Sequence, residues 1–308
     1  MSTALVFPGQ GSQTVGMGRD LAEQFPVARA VFEEVDAALS QKLSEIMWSG
    51  PESALTMTAN TQPALMAHSM AAFRVLQAEA GLSLEQVSCL AGHSLGEYSA
   101  LCAAGAMDLA TTARLLRIRG DAMQAAVPAG QGGMAAVLGL SIEEVEQALT
   151  SLNDCQVAND NCPGQVVISG TAQAIEVASL SLKEAGAKRV VPLAVSAPFH
   201  SSLMAPAAEK MATALADAKI GEPQVPVVAN VTAQPVKAPD DIRKLLVEQV
   251  TGRVRWVDSV RFMRENGTSR FVETGSGKVL SGLIKKIDRE ATTLSVSSPD
   301  DVSAFTSP

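Results

Sequence analysis

A serine set between two glycines, in Gly92-His93-Ser94-Leu95-Gly96, is where residue types and spacing in this 308-residue chain first point to covalent chemistry. The short apolar run Val87-Ser88-Cys89-Leu90-Ala91 predicts a buried strand before it. Glu97 to Ala104 predicts a helix after it, ended by Gly105. A strand, a tight G-x-S-x-G turn and a helix form the setting of a nucleophile elbow. The glycines let the backbone turn sharply, and the helix N-terminus favours negative charge developing at the serine oxygen. The bare motif also arises by chance, so the flanking pattern carries the reading.

A serine hydroxyl is a poor nucleophile until a base takes its proton, and histidine is the usual base near neutral pH. The chain has three histidines. His68 falls on an apolar helix and reads as a hydrogen-bonded core residue. His93 adjoins the serine on a tight turn, where neighbouring side chains diverge. His200 remains, in the loop Ser196-Ala197-Pro198-Phe199-His200-Ser201, with a plain surface-loop histidine as the open alternative. Acyl transfer also needs donors for a tetrahedral oxyanion. The Leu95 amide is one by position, and the glycine-rich turn Pro8-Gly9-Gln10-Gly11-Ser12-Gln13 offers Gln10 as a second. That turn fails the dinucleotide fingerprint, because Thr14 stands where a third glycine belongs. A bland structural turn explains it equally well. No acidic residue stands out as a third triad member, and spacing cannot choose one.

The elements that must hold these residues follow from periodicity. Ala4 to Phe7 predicts a strand, Arg19 to Leu39 a helix, and Asn60-Thr61-Gln62-Pro63 the opening of an almost wholly apolar, buried helix to Ala80. A helix from about Asp108 to Ala126 carries Arg114, Arg117 and Arg119, of which Arg119 reads as a surface charge. The rhythm then changes. Met134–Leu138 (strand), Ser141–Leu152 (helix), Gln156–Ala158 and Gln165–Ser169 (strands around a loop at Asn159 to Gly164), Thr171–Ala185 (helix) and Arg189–Val195 (strand) run β-α-β-β-α-β. That order is ferredoxin-like. The expected architecture is an α/β chain in which residues 128–195 are inserted into a larger domain made of 1–127 and 196–308. Later come a helix Leu203–Ala218, a strand Val225–Ala229, helices Asp240–Val250 and Trp256–Asn266, and a strand Arg270–Glu273. The run Thr274-Gly275-Ser276-Gly277-Lys278 resembles a Walker loop only superficially, since Val279 replaces the Ser or Thr and Val272 the first glycine. It reads as a loop before a helix. The tail after Thr306 is expected to fray.

Composition narrows the function. Hydrophobic residues make up 47% of the chain, enough for a large core, and the net charge is −8. Affinity for nucleic acid is not expected from that charge or from one Tyr and two Trp. Cys89, Cys102, Cys155 and Cys162 show no metal-ligand spacing, and they read as small buried hydrophobes in a reducing compartment. No bound metal or cofactor is expected. With no signal-peptide pattern and no apolar run long enough for a bilayer, the expectation is a cytoplasmic protein, free of membranes and monomeric.

Six ordered motifs now add a resemblance. They are Phe7 to Gln13, Gly92 to Tyr98, Arg119-Gly120, Asn159-Asp160-Asn161 with Pro163-Gly164-Gln165, Phe199-His200-Ser201, and Gln249 before Val254-Arg255-Trp256. Together they resemble the malonyl-CoA:acyl carrier protein transacylase family of type II fatty acid synthesis, over nearly the whole chain. The resemblance implies a large α/β hydrolase-like domain with a ferredoxin-like insertion. It implies malonyl-CoA as donor and the phosphopantetheine thiol of acyl carrier protein as acceptor. Position by position it implies Ser94 as nucleophile, His200 as base, and Gln10 with the Leu95 amide as oxyanion donors. Arg119 becomes the clamp on the malonate carboxylate, a task that suits a guanidinium fork. Gln249 orients His200 through its backbone carbonyl, in place of the usual Asp. His93 and Phe199 join the substrate-binding set, Phe199 crowding the malonyl C2 carbon or merely packing. Lys285 and Lys286, or Lys188 and Arg189, are candidates for carrier contact. Arg253 departs from the pattern, standing where the family commonly has proline. Alternatives left open are a serine thioesterase, a carrier-binding scaffold with an idle serine, and an acyltransferase serving polyketide synthesis or malonate decarboxylase.

Overall fold

In a computed structural model, which describes residues 2–195 and 197–306, the chain builds two sheets. Strands β1 (Ser2–Phe7), β2 (Val87–Gly92), β3 (Gly132–Leu138), β4 (Cys155–Cys162), β5 (Gln165–Thr171), β6 (Arg189–Pro192), β7 (Val227–Val228), β8 (Pro235–Val236), β9 (Val254–Arg255), β10 (Thr268–Thr274) and β11 (Thr292–Val296) alternate with helices. The larger sheet has the order β11-β10-β1-β2-β7-β8, parallel throughout except for β8. Its central strands are continuous apolar runs because helices cover both faces. Ala4 to Phe7 in β1 are fully buried. The helix Thr58–Glu79 is buried nearly all round, as its composition predicts. Among the described residues, no helix is long and apolar enough to cross a membrane.

The smaller sheet has the order β6-β3-β5-β4-β9. Its first four strands are antiparallel, with the helices Ile142–Leu149 and Ala172–Glu184 between them, which is a ferredoxin-like arrangement. The fifth strand, β9, comes from much later in the chain and runs parallel to β4, Asn159 opposite Val254 and Asp160 opposite Arg255. The fold is therefore a large α/β core with a smaller β-sheet subdomain. Ser196, the first residue of the expected loop before His200, lies outside the described residues, as does the expected fraying of 307 and 308.

Several expectations need correction. The helix expected over Arg19 to Leu39 is two helices, Arg19–Gln24 and Pro26–Leu39. The residue before a proline is driven out of the helical region, and Phe25 sits at φ −117°, ψ 115°. The buried helix begins at Thr58 rather than Asn60, with Pro63 inside it. The loop expected at Asn159 to Gly164 shrinks to a Pro163-Gly164 turn, because β4 continues to Cys162. Its register slips twice, between Val157 and Asn159 and between Asp160 and Cys162. Such bulges re-aim side chains beside active sites. Strand β11 and the helices Leu43–Ser49, Glu52–Thr56 and Pro299–Thr306 escaped the periodicity reading.

The elbow is tight because its glycines touch backbone. A Cβ on Gly92 would run into the Gly96 carbonyl, and one on Gly96 into the Phe7 carbonyl. Gly282, by contrast, sits in the helix Val279–Ile287 with nothing near its missing side chain. Gly96→Ala should therefore cost about 3 kcal/mol or more of stability, or prevent folding. Gly282→Ala should gain about 0.5–1 kcal/mol. Urea unfolding of both variants checks the contrast.

Candidate active site

Strand β2 ends in the elbow, and Ser94 takes a left-handed φ of 53°. The strain of that conformation is held by neighbours rather than by a glycine. Asn230, fully buried just beyond β7, grips the turn on both flanks. Its Oδ1 accepts from the Ser94 amide at 2.8 Å, and its Nδ2 donates to the Gly92 carbonyl at 2.6 Å. The Asn230 amide in turn donates to Glu97 Oε2 at 3.0 Å.

Ser94 Oγ lies 2.8 Å from His200 Nε2. On the other side of the ring, Nδ1 faces two backbone carbonyls, Gln249 at 2.9 Å and Gly252 at 3.1 Å. Carbonyls only accept, so Nδ1 carries the proton and Nε2 is left free to take the serine's. Burial, reinforced by the nearby Arg119 guanidinium, pushes the His200 pKa down to about 3 and keeps the ring neutral.

Arg119, read from the sequence as a surface charge, is 1% exposed. Its helix, Leu109–Ala125, buries Thr112, Leu115, Leu116, Ala122 and Met123 as well, and Arg119 falls on that stripe. The stripe was the available signal for its burial. Its guanidinium donates to Gln62 Oε1 at 2.7 Å, Gln249 Oε1 at 2.8 Å and Ser94 Oγ at 3.2 Å, while Nε meets no hydrogen-bond acceptor among the described residues. Among the described residues no carboxylate bonds to it. The Gln249 amide Nε2 also donates to Glu97 Oε2 at 2.7 Å and to the Ser94 carbonyl at 3.0 Å. Burial raises the Glu97 pKa to about 7, against the pull of the Asn230 and Gln249 hydrogen bonds and of Arg119.

A cavity of about 340 Å³ opens over Ser94. Gln10, Leu95, His93, Arg119, Phe199 and His200 all line it, so the structure brings the expected site residues together. Gln10 reaches towards Thr58, Nε2 to Oγ1 at 3.4 Å. His93 meets Asn161 Oδ1 at 2.9 Å with its ring tilted against Trp256. Met134, Asn159, Asn161 and Val167 of the smaller sheet form the opposite wall. Beside Asn159 and Asn161, Asp160 has its pKa pushed up to about 6, first by burial and then by Asp258. His68 is a buried core residue bonded to the Ser297 carbonyl at 2.9 Å.

Lys285, Lys286, Lys188 and Arg189 are exposed and lie outside the cavity lining. Arg253 spans to Glu146 on the helix Ile142–Leu149 at 2.7 Å. The Walker-like run has no vacancy for phosphate at its helix. Glu273 accepts the Leu280 and Ser281 amides at 3.0 and 2.7 Å, filling that N-terminus with a carboxylate. No three His, Cys, Asp or Glu side chains converge as a metal cluster among the described residues. Sequence reasoning missed Asn230, Glu97 and Gln62, whose partners lie far away in the chain. Only the position of Asn230 just beyond a strand end hinted at a role.

A profile of the acyl transferase domain family matches residues 4–273. The malonyl CoA-acyl carrier protein transacylase of Bacillus subtilis (strain 168) is 46% identical over 303 residues, covering 97% of this chain and 94% of the relative. That of Escherichia coli K12 is 45% identical over 304 residues, covering 98% and 97%. The chain belongs to the malonyl-CoA:acyl carrier protein transacylase family. Solved structures of other members agree with the fold described above. The acyl-carrier-protein S-malonyltransferase of Bartonella henselae superposes with a TM-score of 0.96 at 54% identity, covering 99% of this chain and 98% of that one. A malonyl transacylase in complex with a type II polyketide acyl carrier protein gives 0.95 at 43% identity, covering 99% of both chains.

The two shifted groups oppose each other in stability. His200 titrates near 6.5 when unfolded and about 3 when folded, so its contribution is complete above 6.5 and is lost on acidification toward 3. Glu97 moves from 4.5 to about 7, so its contribution is complete below 4.5 and is lost as pH rises through 7. His200→Gln should therefore lose less stability than the parent chain between pH 6.5 and about 4. Urea midpoints across that range check the sign.

Proposed function

We propose that the chain transfers malonyl groups from malonyl-CoA to the phosphopantetheine thiol of an acyl carrier protein, through a malonyl ester on Ser94. The observation that carries this reading is the sealed guanidinium of Arg119, 3.2 Å from Ser94 Oγ and bonded only to neutral acceptors. A buried cation bonded only to neutral acceptors, set beside a nucleophile, is a receptor for an anionic acyl group. A malonyl thioester presents a free carboxylate of that kind next to its reactive carbonyl.

In the forward half-reaction His200 Nε2 takes the Ser94 proton as Oγ bonds to the thioester carbon. Gln10 and the Leu95 amide donate to the oxyanion. The tetrahedral intermediate collapses, the carbon–sulfur bond breaks, and His200 returns the proton to the CoA sulfur. The carrier thiol then enters, His200 takes its proton, and the ester carbon passes to the new sulfur while Ser94 recovers its hydrogen. This is a ping-pong transfer with a covalent intermediate. Gln249 orients the base through its carbonyl. Phe199 and His93 shape the malonyl end of the cavity, and Lys285 and Lys286 meet the carrier. Residues 128–195 form the inserted wall of the site, against 1–127 and 196–308. The four cysteines are free, buried thiols, in keeping with a reducing cytoplasm.

After incubation with malonyl-CoA, intact mass should show one malonyl adduct on the chain and none on Ser94→Ala. An adduct on that variant would remove Ser94 from the chemistry. Arg119→Ala should lower malonyl transfer by about 100-fold or more, with a far smaller change for acetyl transfer. Radiolabel transfer to holo-carrier from the two donors, compared side by side, reads the difference.

A further inference from the structure

The base carries strain of its own. His200 adopts a left-handed φ of 57°, disfavoured for any residue with a Cβ. Its imidazole has no side-chain orienter, because both Nδ1 acceptors are main-chain carbonyls, Gln249 and Gly252. The ring is therefore only as well placed as two loops are fixed against one another. One side chain spans both loops. Gln156, on β4 of the smaller sheet, donates from Nε2 to the His200 carbonyl at 3.3 Å and to the Thr251 carbonyl at 3.2 Å. Its Oε1 accepts from the Ser202 amide at 3.0 Å. Among the described residues, the bonds of its side chain go to backbone beside the base or beside the carbonyls that hold the base, and Gln156 is not among the residues lining the cavity.

The strand carrying Gln156 has a firm footing. Strand β4 pairs with β9 immediately after Gly252, and Arg253 ties the same segment to Glu146. We propose that Gln156 is a positioning residue for His200. By clamping the His200 and Thr251 carbonyls with one amide, it keeps Nδ1–H on the Gln249 and Gly252 carbonyls and so aims Nε2 at Ser94 Oγ. The smaller sheet then contributes to proton transfer through a residue that lies outside the cavity lining. This inference rests on the reading of His200 as the base.

The test is a double-mutant cycle read by single-turnover acylation with malonyl-CoA, using the parent chain, Gln156→Leu, His200→Ala and the double variant. Gln156→Leu should acylate about 10–100-fold more slowly, at a half-saturating malonyl-CoA concentration unchanged within about twofold. On the His200→Ala background the same substitution should change the residual rate by less than about twofold, because its effect passes through the imidazole. With only three histidines, ¹⁵N spectra of labelled protein give a separate readout. His200 should be the Nδ1–H tautomer in the parent and a tautomer mixture in Gln156→Leu. Should Gln156→Leu fail to fold, Gln156→Glu decides. It keeps the acceptor for Ser202 and loses both donations, and it should show the same slowing. Parent-like acylation by either folded variant overturns the proposal, as does an equal loss on both backgrounds, which would mark a general structural role. Parent-like acylation by His200→Ala overturns the underlying reading of the base instead, an outcome visible without any Gln156 variant.

Discussion

The site is organised by a cation that has been taken out of water with no carboxylate hydrogen-bonded to it among the described residues. Removing a guanidinium from solvent is costly, and neutral amides and hydroxyls offset only part of that cost. Arg119 makes this arrangement with Gln62, Gln249 and Ser94. The choice of glutamine at 249 follows from it. A carboxylate there would pair with the guanidinium and neutralise the receptor, whereas an amide side chain accepts from Arg119 and leaves its charge available. The imidazole is then oriented by a main-chain carbonyl of the same residue, which adds no charge either. One residue thus reconciles two demands that an acidic triad member would set against each other. Glu97 sits one amide further back, joined to Gln249 and Asn230, where burial weakens its hold on a negative charge.

Around this centre the two sheets divide the labour. The parallel sheet delivers the serine and the glutamine loop from the ends of β2 and β1, the usual place for a site in an open α/β sheet. The antiparallel sheet supplies the far wall, and the slipped register of β4 presents Asn159 and Asn161 on that wall. Its pairing with β9 makes the second sheet part of the frame around the imidazole rather than an appendage.

What could be read from the sequence was local. The elbow announced itself by strand, glycines and helix between Val87 and Ala104, and the β-α-β-β-α-β order was legible from turn residues and alternation. His200 emerged because only three histidines were available. What could not be read was whatever depends on distant parts of the chain meeting. Nothing near Arg119 in sequence says that Gln62 and Gln249 will surround it, although the apolar stripe on its helix was there to be counted. Asn230 and Glu97 lie 133 positions apart, and no spacing rule connects them. The break at Phe25 was legible from Pro26, but the apolar period running across it concealed the kink.

The lowered basicity of all three histidines has a consequence for how the whole molecule carries charge. Burial depresses the basicity of His68 and His93 as it does that of His200, so mild acidification meets three imidazoles held toward their neutral form. Glu97 and Asp160, raised by burial to about 7 and about 6, do respond near neutrality. Going from slightly alkaline to slightly acidic buffer, the protein drifts toward its isoelectric point by extinguishing negative sites in and around the catalytic cleft.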